Sequence, residues 1–404
     1  MRSDADGARP RGRMTRRALL RGALAATAAP ALWACQSAPE SRAPAPAVAG
    51  AGAGAQATPT ASSSATAWDE LVQAAQREGS LVLAGPPTPA VRTEVPAAFK
   101  RQFGIDIEYL GGRTGDLMTR LDAERAAGQY TVDILLTGAS SLYNEGYPRK
   151  MLGALPPVLI LPEVTDPTKW QVGRVWYMDP EQQYVLRLSN QLTFVPAVNT
   201  QYVPAEEIVS WHDLLDPKYR GKISADDPTV AGAGWNRAVY LLRKLGEDYV
   251  RALYQGQQVA ISRDERQQMD WLARGQYPIA LGLGADNILS LRADGFPIVV
   301  VLQNRPEAPG MVTAGYGMIA MLDPAPHPAA ARVFVNWIAG REGNEVYNRA
   351  QVNASVRTDV DNAWMPDFSL PTPGVDYFDG YAWDWVTATH GPDDLEQMRR
   401  LVSR

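Results

Sequence analysis

The sequence has almost no cysteine: Cys35 is the only one among 404 residues. A single thiol cannot form an intramolecular disulfide, and it cannot supply the several thiolates of a structural metal site. Cys35 also lies close to the N-terminus, before the part of the chain whose composition is globular. We therefore assign no catalytic thiol to this protein, and we expect its hydrophobic core alone to hold the fold together.

Histidine and the common catalytic motifs are scarce as well. The three histidines, His212, His327 and His390, are scattered and lack the spacing of metal ligands. The sequence contains no G-x-S-x-G nucleophile elbow, no P-loop and no G-x-G-x-x-G after a strand, and Gly282-Leu283-Gly284 is too short to count. These absences predict a protein that is not an enzyme and that has no metal centre and no cofactor.

No apolar run reaches the roughly 20 residues that span a bilayer. A shorter run, Ala23 to Trp33, follows the pair Arg16-Arg17, as in a twin-arginine export signal. The run ends at Leu32-Trp33-Ala34-Cys35, which resembles a lipobox. The sequence thus predicts removal of residues 1–34, lipidation of Cys35 and attachment to the outer face of the cytoplasmic membrane. A plain signal peptide is the alternative, and the start at Met1 or Met14 stays open.

Basic side chains are in the minority once this signal is removed. Residues 1–34 contain seven Arg and two Asp, which leaves 32 basic and 42 acidic side chains and a net charge of −10. A chain with this net negative charge repels nucleic acid and anionic lipid headgroups. We therefore expect no nucleic-acid partner, and we expect attachment to the membrane only through the lipid on Cys35. Residues 36–67 are almost entirely Ala, Gly, Pro, Ser and Thr, which predicts a flexible tether of on the order of 30 Å.

From Trp68 onward, the apolar pattern alternates between helix and strand. The first predicted helix has one apolar face, formed by Trp68, Leu71, Val72 and Ala75, and it ends at Gly79. Repeated β-α-β units predict a mostly parallel sheet covered on both faces, and a body of about 335 residues predicts two lobes. The predicted strands are 80–84, 105–109, 131–136, 278–283, 297–302 and 311–322. The further predicted helices are 91–103, a helix from Thr114, 235–246, 264–275 and 327–340.

Six blocks between residues 68 and 360 carry a family resemblance, each weak alone but specific in combination. They are Trp68–Gly79, Ala98–Ile105, Glu124–Ile134, Ser210–Ile223 with Asp227-Pro228, Ala325–Ala331 and Ser355–Asp359. In this order they resemble the extracellular solute-binding proteins of ABC importers. Among these, they are most similar to the cluster that binds ferric iron, thiamine, polyamines and phosphonates.

This resemblance implies an α/β, two-lobed type II periplasmic-binding-protein fold, with mostly parallel sheets, a two-strand hinge and a ligand cleft between the lobes. Leu192–Thr200 resembles the first hinge strand, and Gly310–Ile319 resembles the return strand. The expected domains are a signal at 1–34, the lipidated cysteine and linker at 35–67, lobe 1 at 68–195 and 312–360, and lobe 2 at 196–311 and 361–404.

The resemblance also implies a function. The chain would capture a small polar molecule or ion and deliver it to an ABC permease in the membrane, acting as a monomer. One alternative is a ligand sensor that is coupled to a membrane receptor and has no permease. A less favoured alternative is an unrecognised hydrolase.

Ligands of open α/β sheets bind beyond the carboxyl ends of the strands, often at helix N-termini, and this rule selects two loops in the first lobe. The loop 111–116 carries Arg113 and Thr114, and Arg113 is suited to a carboxylate or phosphate-like group. The loop 137–141 offers the hydroxyls of Ser140 and Ser141. A tight turn with a solvated arginine and simple helix capping are the alternative interpretations.

A third loop, 228–235, is selected in the second lobe and contains Gly232, Ala233 and Trp235. In the family that it resembles, this turn presents backbone N–H groups to anions, commonly with the help of a serine. Here Ala231 stands near that position, so the expected donors are backbone groups. We predict a ligand-binding role for this loop.

The fourth loop, 282–287, carries Asp286 and Asn287. Asp286 is interpreted either as a partner for an ammonium or hydroxyl group or as a helix N-cap. Ferric-binding relatives have two adjacent tyrosines at this point, and the sequence here has none. We therefore do not expect binding of bare Fe³⁺ by the usual ligand set.

Aromatic side chains near the predicted cleft have two interpretations. Trp176-Tyr177, Trp235 and Tyr316 are candidates for stacking on an organic ligand, and core packing is the alternative for each. The Trp-rich stretch 383–385 near the C-terminus receives no role from the sequence.

Overall fold

The computed structural model describes residues 61–112, 114–193, 196–230, 233–388 and 392–402. The predicted export signal, Cys35 and most of the predicted tether lie outside these residues, as do Arg113 and Gly232 of the predicted ligand loops. Within the described ranges, no helix combines the length and the apolar character that a membrane span requires.

Glycine ends each of the first two helices. Gly79, with φ 78°, follows α1 (Ala61–Glu78), and Gly104, with φ 72°, follows α2 (Pro89–Phe103). This left-handed conformation costs little only for glycine. Each glycine leads at once into a strand, β1 (Ser80–Gly85) or β2 (Asp106–Gly111). The helix–strand alternation predicted for this part of the chain is confirmed.

The other strands are short, and several of the other helices are single turns. The strands are β3 (Ile134–Thr137), β4 (Leu186–Arg187), β5 (Gln191–Thr193), β6 (Pro196–Asn199), β7 (Ile223–Asp226), β8 (Ala260–Ser262), β9 (Ile279–Leu281), β10 (Ile298–Val300), β11 (Met311–Thr313), β12 (Met318–Met321) and β13 (Phe378–Asp379). The helices are α3 (Thr114–Ala126), α4 (Ala139–Ser141), α5 (Pro162–Thr165), α6 (Ala233–Leu245), α7 (Glu247–Arg251), α8 (Glu265–Ala273), α9 (Ala285–Ala293), α10 (Pro328–Ala339), α11 (Arg341–Gln351), α12 (Trp383–Ala388) and α13 (Pro392–Val402).

Two five-stranded sheets form the two lobes and have matching arrangements. The first has the order β2-β1-β3-β12-β4, and the second has the order β10-β6-β9-β7-β8. In each sheet four strands share one direction and one strand opposes them. The opposed strand, β12 or β6, is the one that arrives from the other lobe. The strand directions are therefore mostly parallel, but two of the four pairings in each sheet are antiparallel.

A third sheet of three strands, in the order β13-β11-β5, joins the lobes. The antiparallel pair β5 and β11, with Thr193 opposite Met311, overlaps the two predicted hinge segments. The predicted strand 311–322 is interrupted at residues 314–317, so its first part belongs to the hinge and its second part to the first sheet. The third strand, β13, comes from the C-terminal tail and was not predicted.

The central strand β1 shows why the first lobe has an apolar strand pattern. Leu81 and Leu83 point to the cluster that contains Phe99 of α2, and Val82 and Ala84 belong to the cluster on the opposite face. A strand covered on both faces needs a continuous apolar run, since no face is left for water. Each buried Leu or Val side chain contributes roughly 1.5–3 kcal/mol to stability.

The C-terminal segment 361–404 is shared between the lobes, whereas the sequence analysis placed all of it in lobe 2. α12 contacts α4 and the turn that follows it in the first lobe, and α13 contacts α6 and α7 in the second. The ring of Trp383 lies 4.6 Å from that of Tyr143 and 4.8 Å from that of Tyr147. Burial of this large aromatic surface against the first lobe is the physical reason for the difference.

Candidate functional site

Two of the predicted ligand loops meet at the carboxyl edge of the first sheet. α3 begins at Thr114, just beyond β2, and α4 begins just beyond β3. The hydroxyl oxygens of Thr114 and Thr137 are 2.6 Å apart, so one of them donates a hydrogen bond to the other. In the second of these loops Ser140 is exposed and Ser141 is half-buried. Both loops therefore present hydroxyls along one edge, as the strand-end rule predicts.

The facing edge of the second lobe is charged, which the sequence analysis did not recognise. Asp226, at the end of β7, lies 3.8 Å from Nη1 of the fully buried Arg237 and accepts a bond of 3.2 Å from Gln268 Nε2. Gly282, with φ 128°, approaches so closely that a Cβ atom there would lie 2.0 Å from Asp226 Oδ1. Glycine is thus required at the first position of the fourth loop.

The neighbouring carboxylate, Asp227, is held by its own loop. It accepts a hydrogen bond of 2.6 Å from the Thr229 hydroxyl and one of 2.7 Å from Arg263 Nε. Although burial raises the pKa of Asp227, these hydrogen bonds outweigh it and keep the pKa below its usual value. Asp227 is therefore ionised at neutral pH and forms an ion pair with Arg263.

A crevice of about 330 Å³ lies where both lobes meet the hinge sheet. Its polar lining comes from the hinge strands, from the end of α11 in the first lobe, from the start of α9 in the second lobe and from the C-terminal tail. The polar lining residues are Gln191, Thr193, Asp286, Thr313, Gln351, Asn353 and Ser369. A molecule in this crevice would contact both lobes and both crossing strands.

A buried polar network fixes the first-lobe wall of this crevice. Gln191 Nε2 donates a bond of 2.7 Å to Asn353 Oδ1, and the Ser189 hydroxyl donates one of 2.6 Å to Asn348 Oδ1. Asn348 in turn donates to the carbonyl oxygen of Leu188 at 3.1 Å. Because these groups are buried, loss of any partner would cost about 1–3 kcal/mol, and the network holds Asn353 in place.

Comparison with known families decides what kind of protein has this arrangement. Residues 84–345 match the family of bacterial extracellular solute-binding proteins. The chain belongs to this family. A relative from Haemophilus influenzae (strain ATCC 51907 / DSM 11121 / KW20 / Rd), an uncharacterized protein, is 27% identical over 146 residues, which are 34% of this chain and 38% of the relative. The matched region thus spans well under half of that curated relative.

Solved structures similar to this solute-binding protein share its fold over most of their length. An ABC transporter protein from Clostridium perfringens has a TM-score of 0.61 at 14% identity, covering 80% of this chain and 100% of the other. Iron-bound HitA from Pseudomonas aeruginosa has a TM-score of 0.54 at 18% identity, and the match covers 80% of this chain and 99% of HitA. AfuA from Actinobacillus pleuropneumoniae, with fructose-6-phosphate bound, has a TM-score of 0.52 at 19% identity. The match covers 80% of this chain and 97% of AfuA. At such identities the likeness establishes the two-lobed fold alone.

In this solute-binding protein, the two candidate residues of the fourth loop have different roles. Asn287 Oδ1 accepts a bond of 3.0 Å from the Gly284 N–H, so its side chain caps α9. Asp286 is exposed and lines the crevice. The side chain that caps α9 is therefore Asn287 and not Asp286, and the ligand role of Asp286 stays a prediction.

Tyrosines of the first lobe form a group that the sequence analysis missed, apart from Tyr316. The hydroxyls of Tyr109, Tyr347 and Tyr381 donate bonds of 2.8 Å to the carbonyl oxygens of Pro86, Tyr316 and Gly315. Burial raises the pKa of all three phenols, for Tyr109 against the lowering effect of Arg92. These hydroxyls stay protonated, and those of Tyr347 and Tyr381 support the turn that carries Tyr316. No local pattern marks them, since their partners are distant in sequence.

The aromatic candidates are mostly packed. Trp235 is 3% exposed and packs in the second-lobe core, which agrees with core packing, the second of its two interpretations. Trp176 lies 4.5 Å from the guanidinium of Arg187, and it packs with Tyr177 against the first-lobe core. Tyr316 is half-buried at the turn between β11 and β12. Its turn lies beside the second ligand loop, because a Cβ atom at Gly138 would lie 3.5 Å from the carbonyl oxygen of Gly315.

The remaining predicted site residues lie outside the described ranges or at their limits. Arg113 and Gly232 lie outside the described residues, and Ala233 is described only as the first residue of α6. Across the described ranges, no three side chains of His, Cys, Asp or Glu are grouped to hold a metal ion. His327 instead bonds through Nδ1 to the buried Asp133 at 2.9 Å, at the start of α10.

Proposed function

We propose that this chain captures a small polar ligand between its lobes and delivers it to an ABC importer, as a monomer. The observation that carries the proposal is the crevice of about 330 Å³ whose lining comes from both lobes and both crossing strands. A ligand held there gains contacts only when the lobes are close together, and this is what couples binding to closure. Family membership supports an extracytoplasmic role in solute capture.

The lining of the crevice favours a ligand rich in hydrogen-bond donors. Among its described residues the single charged side chain is Asp286. The side-chain oxygen of Gln351 is buried, and no group in the described part of the chain bonds to it. Carboxylate and amide oxygens accept hydrogen bonds, so amines and polyhydroxylated compounds suit this wall better than free anions. We propose that Thr114, Ser140 and Tyr316 contact the more distant part of the same ligand.

A thermal-shift screen with amines, polyols, thiamine-like compounds, anions and ferric chelates tests the proposal. A ligand at 100 times its dissociation constant stabilises the protein by about 2.7 kcal/mol. For the compound that binds, Asp286→Asn should weaken affinity about 10- to 100-fold, as expected for loss of a charged hydrogen bond.

Asp294→Asn is the matched control, because Asp294 is exposed at the other end of α9 and outside the crevice. It should bind like the parent. Equal affinity for the parent and Asp286→Asn would contradict the assignment of the crevice. Stabilisation by anions alone would contradict the proposed ligand chemistry but leave solute capture intact.

We further propose that the chain is exported by its twin-arginine signal and anchored through lipidated Cys35. The short apolar segment and the lipobox-like Leu32–Cys35 support this. Cys35→Ala should release the protein from membranes into the soluble fraction. Membrane fractionation in which the variant sediments like the parent would refute the anchor.

A further inference from the structure

A second pocket, which we name the outer pocket, lies on the first lobe among α1, α2, α5, α10 and α11. Its volume is about 470 Å³, within the range of small-molecule sites. Three aromatic and three acidic side chains form most of its lining. They are Trp68, Phe103, Trp337, Glu163, Glu342 and Glu345.

The outer pocket is separate from the ligand cleft. α2 begins at Pro89, beyond the carboxyl end of β1, and its 15 residues end at Phe103. A helix of this length covers about 22 Å. Phe103, in the pocket wall, therefore lies near the amino edge of the first sheet, whereas the cleft loops lie at the carboxyl edge.

Trp337 supplies an observation that points to an occupant. Its side chain is 3% exposed, and its indole N–H has no hydrogen-bond partner among the residues that the structure describes. The ring is held in place by Phe99 at 5.3 Å and Phe334 at 5.7 Å. A buried donor left without an acceptor costs about 1–3 kcal/mol, so an oxygen atom of a bound molecule at this wall would be stabilised.

The charges of the pocket wall select a cation. Glu163, Glu342 and Glu345 face a single lining cation, Arg341. Glu345 also accepts a bond of 3.0 Å from Arg349 Nε, outside the wall. The wall is therefore net acidic, and its aromatic faces add attraction for a cation that leaves water to contact them.

We infer that the outer pocket binds a small organic cation with a guanidinium head and a carbonyl oxygen a few bonds away. The head donates to the carboxylates and lies against the aromatic wall. The oxygen accepts the indole N–H of Trp337. This site is independent of the ligand that the cleft carries.

Calorimetric titration of the full chain with L-argininamide tests this inference. L-citrullinamide, in which a neutral urea replaces the guanidinium, is the matched probe. The parent should bind argininamide at least 10-fold more tightly than citrullinamide. The double variant Glu342→Gln/Glu345→Gln should lose at least 10-fold in affinity for argininamide, and Trp337→Phe should lose about 3- to 10-fold.

Two controls separate this site from general acidity and from the cleft. Glu247→Gln/Asp248→Asn removes two exposed carboxylates from α7 in the other lobe and should bind argininamide like the parent. Asp286→Asn, in the cleft, should also bind it like the parent. Absence of binding to the parent, equal binding by Glu342→Gln/Glu345→Gln, or loss of binding in Asp286→Asn would each overturn the inference.

Discussion

At the scale of single residues, hydrogen bonding separates the groups used by the fold from those left for a ligand. The hydroxyls of Tyr109, Tyr347 and Tyr381 are engaged with backbone carbonyl oxygens. Asp286 and Gln351 instead place acceptors at the crevice. The tyrosines therefore shape the first-lobe edge, and the acceptors set the ligand chemistry that we propose.

Ferric iron provides a test at this scale. Fe³⁺ binding by tyrosine requires ionised phenolates, whereas burial raises the pKa of Tyr109, Tyr347 and Tyr381 and the fourth loop has no tyrosine pair. We expect no tyrosinate-to-iron absorption band when Fe³⁺ is added at neutral pH. A visible charge-transfer band that disappears when one tyrosine is replaced by phenylalanine would contradict this expectation.

At the scale of elements, the C-terminal tail adds a strand to the hinge sheet. β13 pairs in parallel with β11, and its Asp379 bonds to Nη1 of Arg187 at 2.7 Å. The Arg187 side chain is fully buried, and it also donates to Asn190 Oδ1 at 2.7 Å. The tail is thus attached to β4 of the first lobe by an ion pair close to the crossing strands.

Removal of this carboxylate should destabilise the protein. Asp379→Asn leaves the buried guanidinium of Arg187 without its counter-charge, which costs 3–5 kcal/mol when both partners are buried. Because Asp379 is 27% exposed, we expect about 3 kcal/mol, at the low end of that range. Urea unfolding measures the change, and Asp376→Asn, an exposed position in the same tail, should change stability by less than about 0.5 kcal/mol. Equal stability of the two variants would refute the role of the pair.

At the scale of the whole molecule, two sheets of matching order are joined by short crossing strands. β6 and β12 each enter the opposite lobe as the strand that opposes its neighbours. The network around Ser189 and Asn353 fixes the first-lobe side of the hinge. Motion between the lobes would therefore be absorbed in the hinge strands rather than within either sheet.

Closure is the prediction that belongs to this scale. Small-angle scattering should show the body becoming more compact when the cleft ligand is added, since the contacts that drive closure exist only in the closed state. Arg113→Ala should weaken binding by about 1.5–3 kcal/mol while leaving the unfolding free energy of the empty protein nearly unchanged. If Arg113→Ala binds and compacts like the parent at the same ligand concentration, the loop 111–116 does not contact the ligand.

The sequence by itself determined the local elements and the family. Gly79 and Gly104 end helices because only glycine adopts the left-handed conformation at little cost, and this rule acts on a few neighbouring residues. The continuous apolar runs of β1 and β3 indicate strands that are buried on both faces, and these runs are also visible in the local sequence. The blocks between residues 68 and 360 carried the two-lobed fold and the solute-binding family, both of which are confirmed.

Only the tertiary structure decided which distant residues meet. The division of 311–322 between two sheets, the pairing of β13 with β11 and the burial of Trp235 all depend on partners far along the chain. The bond from Tyr381 to Gly315 joins residues 66 positions apart, and that from Arg187 to Asp379 joins residues 192 apart. Local periodicity cannot predict such pairs, because it indicates that a side chain is buried but not which distant residues it contacts.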